Sequence, residues 1–356
     1  MKQFFALAMA VSILFSCSKT TEPKYPKTPE NVIGGRGVVI ANEGIFTGGT
    51  GTVSFYKPND QTIANNLFQT VNNIPIGNVL QSVSQEGNFI YFVVNNSDKI
   101  VVADANTLVY KAEISGLNQP RYFKSVSATK AYVSNWGTNS ISILDLTNNS
   151  VTGSIQLGNG PDKMVFDGSF LYVANSGGFG VDSTVMVIDV VNDLVVDTLL
   201  TGYNPNSLAI DASNKLWVLC GGISDWNDPT NDVAGKLMQF NLANNNSELK
   251  QIDFPNSNDH PAHLTTNSAG DILHYLSNGY FGSVYQMNIS ENSLPTTATV
   301  NGGFYALGVD PASGEIYTAD PKDYASAGTV FRYLANGTLI DSVKTGIIPN
   351  WFLFKN

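Results

Sequence analysis

One strand pattern recurs along almost the whole chain and limits what it can fold into. It is clearest in AYVSNWGTNSISILDLTNNSVTGSIQL and LYVANSGGFGVDSTVMVIDVVNDLVVDTLL. In each copy an apolar-aromatic strand ends in a polar residue, and a Gly-rich turn follows. An alternating strand ending in Asp comes next, and a second turn leads to an exposed strand. A unit of this size needs neighbours on both sides to bury its faces.

Two positional series count the units. The polar residue that closes the aromatic strand falls at Asn42, Asn95, Asn135, Asn175, Cys220, Asn278 and Asp320, spaced 40–58 residues apart. The Gly or Pro that opens the next apolar strand falls at Gly77, Pro120, Pro161, Pro205, Pro261 and Pro349, with Phe304 standing in the sixth place. Each series has seven members, and a unit of about 40–50 residues built from four strands is the blade of a β-propeller. The first copy lacks its innermost strand, while the terminal IIPNWFLF supplies one with no blade of its own. The expected fold is all-β, a seven-bladed β-propeller over residues 37–354. Residues 347–354 should pair beside GVVIAN (37–42), closing the ring without an open edge.

The 32 Gly and 15 Pro suit many short strands and tight turns. No linker interrupts the repeats, so no second domain is expected. With 29 Asp and Glu against 19 Lys and Arg, a net charge of −10 argues against nucleic acid as a partner.

The start, MKQFFALAMAVSILFSC, reads as an export signal over residues 1–16. It has a basic Lys2, an apolar stretch from Phe4 to Phe15 too short to span a bilayer comfortably, and small Ser16 before Cys17. The run Leu14-Phe15-Ser16-Cys17 resembles the lipobox of bacterial lipoproteins, which makes Cys17 the lipidation site and the membrane a partner through a lipid anchor. Residues 17–36 are expected to be the lipidated cysteine and a flexible tether rich in Lys, Thr and Pro. Cys220 is then the only free thiol, and no disulfide framework is expected.

Propeller geometry brings the loops between second and third strands to the same face as the loops leading into each inner strand. Here these are the long ones, among them EGIFTGGT, SGGFGVD, GGISDWNDPTNDVA and PKDYASA. The opposite face has short turns such as DANT, LTNN and VVND. Aromatic residues gather in the long loops, at Trp136, Trp226, Tyr280, Phe281 and Tyr324, with Tyr122, Tyr305 and Trp351 near the inner-strand starts. A wide aromatic surface suits a large, rigid, partly apolar ligand, although packing between blades claims such residues too. Just after each Gly or Pro stand Asn78, Arg121, Asp162, Asn206, Ala262, Tyr305 and Asn350, six of which can hydrogen-bond. Asn78, Arg121, Asn206 and Asn350 would orient the polar groups of a ligand, or simply line a wet channel.

Asp225, Asn227 and Asp228 concentrate oxygen donors of the kind calcium takes, without the glycine spacing of an EF-hand. His260 and His263 in NDHPAHL suit turn hydrogen bonding or a transition metal. The chain has no GxSxG elbow, HExxH helix or phosphate loop, so no enzymatic activity is expected.

The segments IANEGIFTGGTGTVSFY, GNVLQSV, FVVNNSDKIVVAD, GLNQPRYF and GEIYTADPKDYASAGTVFRYLANGTLIDSVKTGIIPNWF carry a more specific likeness. With them the chain resembles the Bacteroidetes surface-layer-type (YncE-like) β-propeller lipoproteins, which include cobamide-binding lipoproteins of vitamin B12 uptake. The resemblance implies a surface-exposed outer-membrane lipoprotein that binds a corrinoid and passes it to a TonB-dependent transporter, with no required cofactor. A protein-binding surface propeller and a calcium-dependent propeller lactonase are the alternatives.

Overall fold

The computed structural model describes residues 30–355, so the export signal, Cys17 and most of the expected tether lie outside the described residues. Seven four-stranded antiparallel sheets make up the described chain. Six are meanders in chain order, their inner strands being Leu80–Glu86, Pro120–Ser127, Pro161–Phe166, Pro205–Ile210, Ala262–Thr266 and Ala306–Val309. The first blade is completed from the other end of the chain. Pro349–Lys355 is its inner strand and pairs with Gly37–Asn42, Ile40 standing opposite Phe352. Each inner strand packs beside the next, round to Ala306–Val309 against Pro349–Lys355, and the ring is closed.

Position within the blade explains the sequence pattern. Second strands such as Phe89–Val94 and Phe170–Asn175 are buried from their second residue onward, because both faces meet neighbouring blades. Their side chains fill clusters that bridge adjacent sheets, as where Tyr91 of one blade stacks on Phe123 of the next at 4.5 Å. The outer strand Ser150–Gln156 alternates between exposed and partly buried residues, since only one of its faces meets the ring.

The two polar positions of the repeat hold the strands in register. Asn42, Asn135 and Asn175 donate to the hydroxyls of Ser54, Ser142 and Thr184 on the third strands. Asp104, Asp145 and Asp189 close the turn after the third strand, each accepting from the N–H two residues on, at Asn106, Thr147 and Val191.

Three details depart from expectation. Phe304 ends the outer strand Val300–Phe304 instead of opening an inner one. A short helix, Leu67–Asn72, follows a three-residue outer strand in the first blade and buries Phe68. Ordered packing begins before Gly37, because Ile33 is fully buried and its N–H donates to Asn106 O at 3.0 Å.

Candidate functional site

The chemistry of the ring's upper mouth originates in a backbone irregularity. In five inner strands the register slips just after the start, between Leu80 and Ser82, Pro120 and Phe123, Pro161 and Met164, Pro205 and Ser207, and Ala262 and Thr265. The closing strand slips in the same place, leaving Asn350 unpaired between Pro349 and Trp351. A bulge takes residues out of the ladder and re-aims their side chains. Of the released residues, all but Leu264 line one cavity of about 720 Å³: Gln81, Arg121, Tyr122, Asp162, Lys163, Asn206, His263 and Asn350. Loop closure is tight here: at Gly160, with φ +59°, a Cβ would stand 2.2 Å from the backbone nitrogen of Gly178.

The cavity floor is a network of opposite charges. Arg121 donates through Nη1 to Gln81 Oε1 at 2.6 Å, and its Nε lies 3.6 Å from Asp162 Oδ2. Ser176 Oγ donates to the same Asp162 oxygen at 3.1 Å. Across the channel Glu43 Oε1 accepts from Tyr305 OH at 3.1 Å and from Asn350 Nδ2 at 3.0 Å. Burial pushes the carboxyl groups of Glu43 and Asp162 above their usual range, while Arg121 pulls both back. Burial also lowers Lys163 to about 8, with Asp162 opposing and Arg121 reinforcing that shift. His263 is held well below its ordinary value by burial and by Lys163, so it is neutral. Three buried polar atoms on this floor lack a close hydrogen-bond partner, Asn350 Oδ1, Arg121 Nε and Trp136 Nε1, the last two turned toward the Asp162 carboxylate. Such atoms are expensive to leave unpaired and mark where a ligand or water belongs.

Above the floor the walls are aromatic. On one side the Arg121 guanidinium lies 3.9 Å from the Trp136 ring centroid, and Phe179 meets Trp136 edge-on at 5.9 Å. On the other, Trp226, Tyr280, Tyr305, Tyr324 and Phe281 form a chain of ring contacts between 5.6 and 6.3 Å. Trp226 is 77% exposed, Phe179 81% and Phe281 61%, so this apolar surface is open to solvent. A concentration of exposed rings beside a polar cavity is the signature of a binding surface.

Nine of the twelve residues expected to bind a ligand line this cavity: Arg121, Tyr122, Trp136, Asn206, Trp226, Tyr280, Phe281, Tyr305 and Asn350. Three do not. Asn78 sits before the strand, its side chain donating to Phe46 O at 2.9 Å, and Gln81 takes the channel position in its blade. Tyr324 stands behind Phe281 and Tyr305 as a support. Trp351 points into the lower channel, its Nε1 donating to Val83 O at 2.8 Å. Sequence reasoning missed Glu43, Gln81, Lys163 and Ser176. Counting one channel residue per blade hides a bulge, which presents two neighbours such as Asp162 and Lys163. Glu43 and Ser176 each follow the closing Asn of a second strand, and that was the available signal.

The acidic loop is organised by its own hydrogen bonds. Asp225 Oδ1 accepts from the backbone of Asn227 and Asp228, and its Oδ2 accepts from Asn231 at 3.0 Å. Asp228 Oδ1 accepts from Thr230. No group of three or more His, Cys, Asp or Glu side chains is placed to hold a metal among the described residues. His260 is used in the loop packing, its Nδ1 lying 2.9 Å from Gly221 O and its Nε2 3.4 Å from Asp232 Oδ2.

A family model described as "Domain of unknown function (DUF5074)" matches residues 36–352. The chain belongs to this family. No curated protein matches its sequence. Solved structures share the fold at low identity. A putative 6-phosphogluconolactonase from Bacteroides fragilis superposes with a TM-score of 0.67 at 12% identity, covering 93% of this chain and 100% of that one. The periplasmic gluconolactonase of Pseudomonas aeruginosa gives 0.66 at 13%, covering 90% and 99%. A quinonprotein alcohol dehydrogenase-like protein from Bacteroides thetaiotaomicron gives 0.66 at 13%, covering 90% and 78%. These likenesses establish the propeller architecture and leave the ligand to the site's own chemistry.

Proposed function

We propose that the protein is a non-enzymatic binding lipoprotein. Its upper mouth would capture a bulky, partly apolar, amide-bearing solute, a corrinoid first among them, and deliver it to a TonB-dependent transporter of the outer membrane. The observation that carries this reading is the solvent-open set of Phe179, Trp226, Tyr280 and Phe281, with half-buried Trp136 behind Phe179, around a floor with unpartnered polar atoms. Rings offer stacking area at little entropic cost. Asn350 Oδ1 can accept from the side-chain amides of a corrin. Lipidation at Cys17 would keep the ring at the membrane where the transporter sits. Titration with cyanocobalamin tests the reading, and no binding at micromolar concentration rejects it. Co-purification with a TonB-dependent transporter tests the delivery step, and copurification without any small ligand would favour a protein-docking propeller instead.

One observation favours a second reading, lactone hydrolysis. Asp162 is a buried and Glu43 a partly buried carboxyl, both shifted upward by desolvation beside Arg121, the kind of environment that prepares an acid-base pair. Under that reading turnover of a sugar lactone falls at least a hundredfold in Asp162→Asn. A wild-type protein inactive on lactones dismisses it.

A further inference from the structure

Below the charged floor the channel continues as a second cavity of about 500 Å³, lined by all seven inner strands. The two cavities share only Tyr122, Lys163 and His263. Their chemistry differs. The lower walls are mixed, with Met164, Leu208, Leu264, Leu307, Trp351 and Phe354 on one part and Ser84, Thr265, Thr266, Asn267 and Ser268 on another, and no Asp or Glu lines them. Two lysines do, Lys124 and Lys163. Neither makes an ion pair among the described residues: Glu86 and Asp162 act on them only at longer range. The Lys163 ammonium instead lies 5.9 Å from the Tyr122 ring centroid and 5.5 Å from that of Trp351.

We infer that this lower cavity is a second ligand site, for a carboxylate on a compact apolar body. A partly desolvated ammonium group is costly without an anion, and two lysines lining one cavity whose walls carry no acid leave a place for opposite charge beside the apolar part of the wall. A carboxylate supplies it through charge-assisted hydrogen bonds, while its hydrocarbon covers the aliphatic and aromatic wall. Burial lowers both lysines, and an incoming anion would favour their charged forms.

Octanoate and 1-octanol, titrated calorimetrically into the full chain in detergent, share a tail and differ in charge. The expected result is octanoate binding at least tenfold tighter than octanol. Lys124→Met should abolish that preference, while cyanocobalamin titration of the same variant stays unchanged, since Lys124 lines only the lower cavity. Methionine keeps the length of the stem and removes a buried charge, so the variant is expected to fold with an unchanged or higher Tm, checked by near-UV circular dichroism. Equal affinities for the two probes, no octanoate binding at millimolar concentration, or full octanoate binding in both Lys124→Met and Lys163→Met would overturn the inference.

Discussion

The two faces of the ring are made by the same seven repeats and solve opposite problems. On the lower face Asp104, Asp145 and Asp189 close near-identical turns with the same hydrogen bond. On the upper face the loops differ from blade to blade, and four charged side chains are brought together at Glu43, Arg121, Asp162 and Lys163. Regularity on one side provides the rigid frame, and irregularity on the other is placed where a ligand can meet it.

The largest expected effect tests whether the upper floor is a balanced charge set. Replacing Arg121 with Met leaves Glu43 without its cation and Asp162 with only the more distant Lys163, and should cost about 4 kcal/mol in urea unfolding at pH 8. The loss should shrink in acid. Burial already raises both carboxyls, so their protonated forms fit the fold best, and stability is fully present below their unfolded pKa and lost as pH rises through the raised folded values. A loss below about 1 kcal/mol at pH 8 would break the contrast between the faces.

The boundary between the upper and lower cavities should show itself as a slope. Lys163 titrates near 8 in the fold and near 10.5 unfolded, so between those values the unfolded chain binds more protons and stability rises with pH. The rise attributable to Lys163 should be about 2 kcal/mol after allowance for its partial exposure, read as wild type minus Lys163→Met. Identical slopes would place the ammonium in water.

A smaller effect concerns the rim. Trp136→Ala and Trp226→Ala should each weaken cyanocobalamin binding about tenfold, or about 1.4 kcal/mol. Trp226 is 77% exposed, so its removal should leave Tm unchanged. Trp136 carries the Arg121 guanidinium on its face, and its removal should lower Tm as well.

The sequence made blade number and closure legible because each depends on period and on the Asn, Asp and Pro that punctuate it. Asn135 and Asp145 repeat because the hydrogen bonds they make repeat. The site was legible where one residue type carries the signal, as with Trp136, Tyr280 and Asn350. It was hidden where backbone register decides exposure. The bulge after Pro161 turns Asp162 and Lys163 together into the channel, although adjacent residues of a regular strand face opposite ways. Trp351 was misplaced for the same reason: the slip at Asn350 leaves it one position lower, facing the other cavity.

The smallest effect belongs to the regular face, and its independence from the site is what makes it informative. Asp104 Oδ1 accepts from the N–H groups of Asn106 and Thr107 and from the Thr107 hydroxyl. The backbone bond from Thr107 is the leading cause of its lowered pKa. Asp104→Ala removes these acceptors but leaves the donors near water, so the cost should be about 1 kcal/mol. Because the folded pKa is depressed, this contribution is present above the unfolded value of 3.8 and disappears as pH falls through the folded one. Wild type and variant should therefore converge in stability under acid while differing at neutral pH. Cyanocobalamin affinity should not change, since the turn stands on the face away from the aromatic rim. If the turn mutation weakened binding as much as the loss of Trp226, the two faces would be coupled through the blade, and the frame would not be the passive support that its repetition suggests.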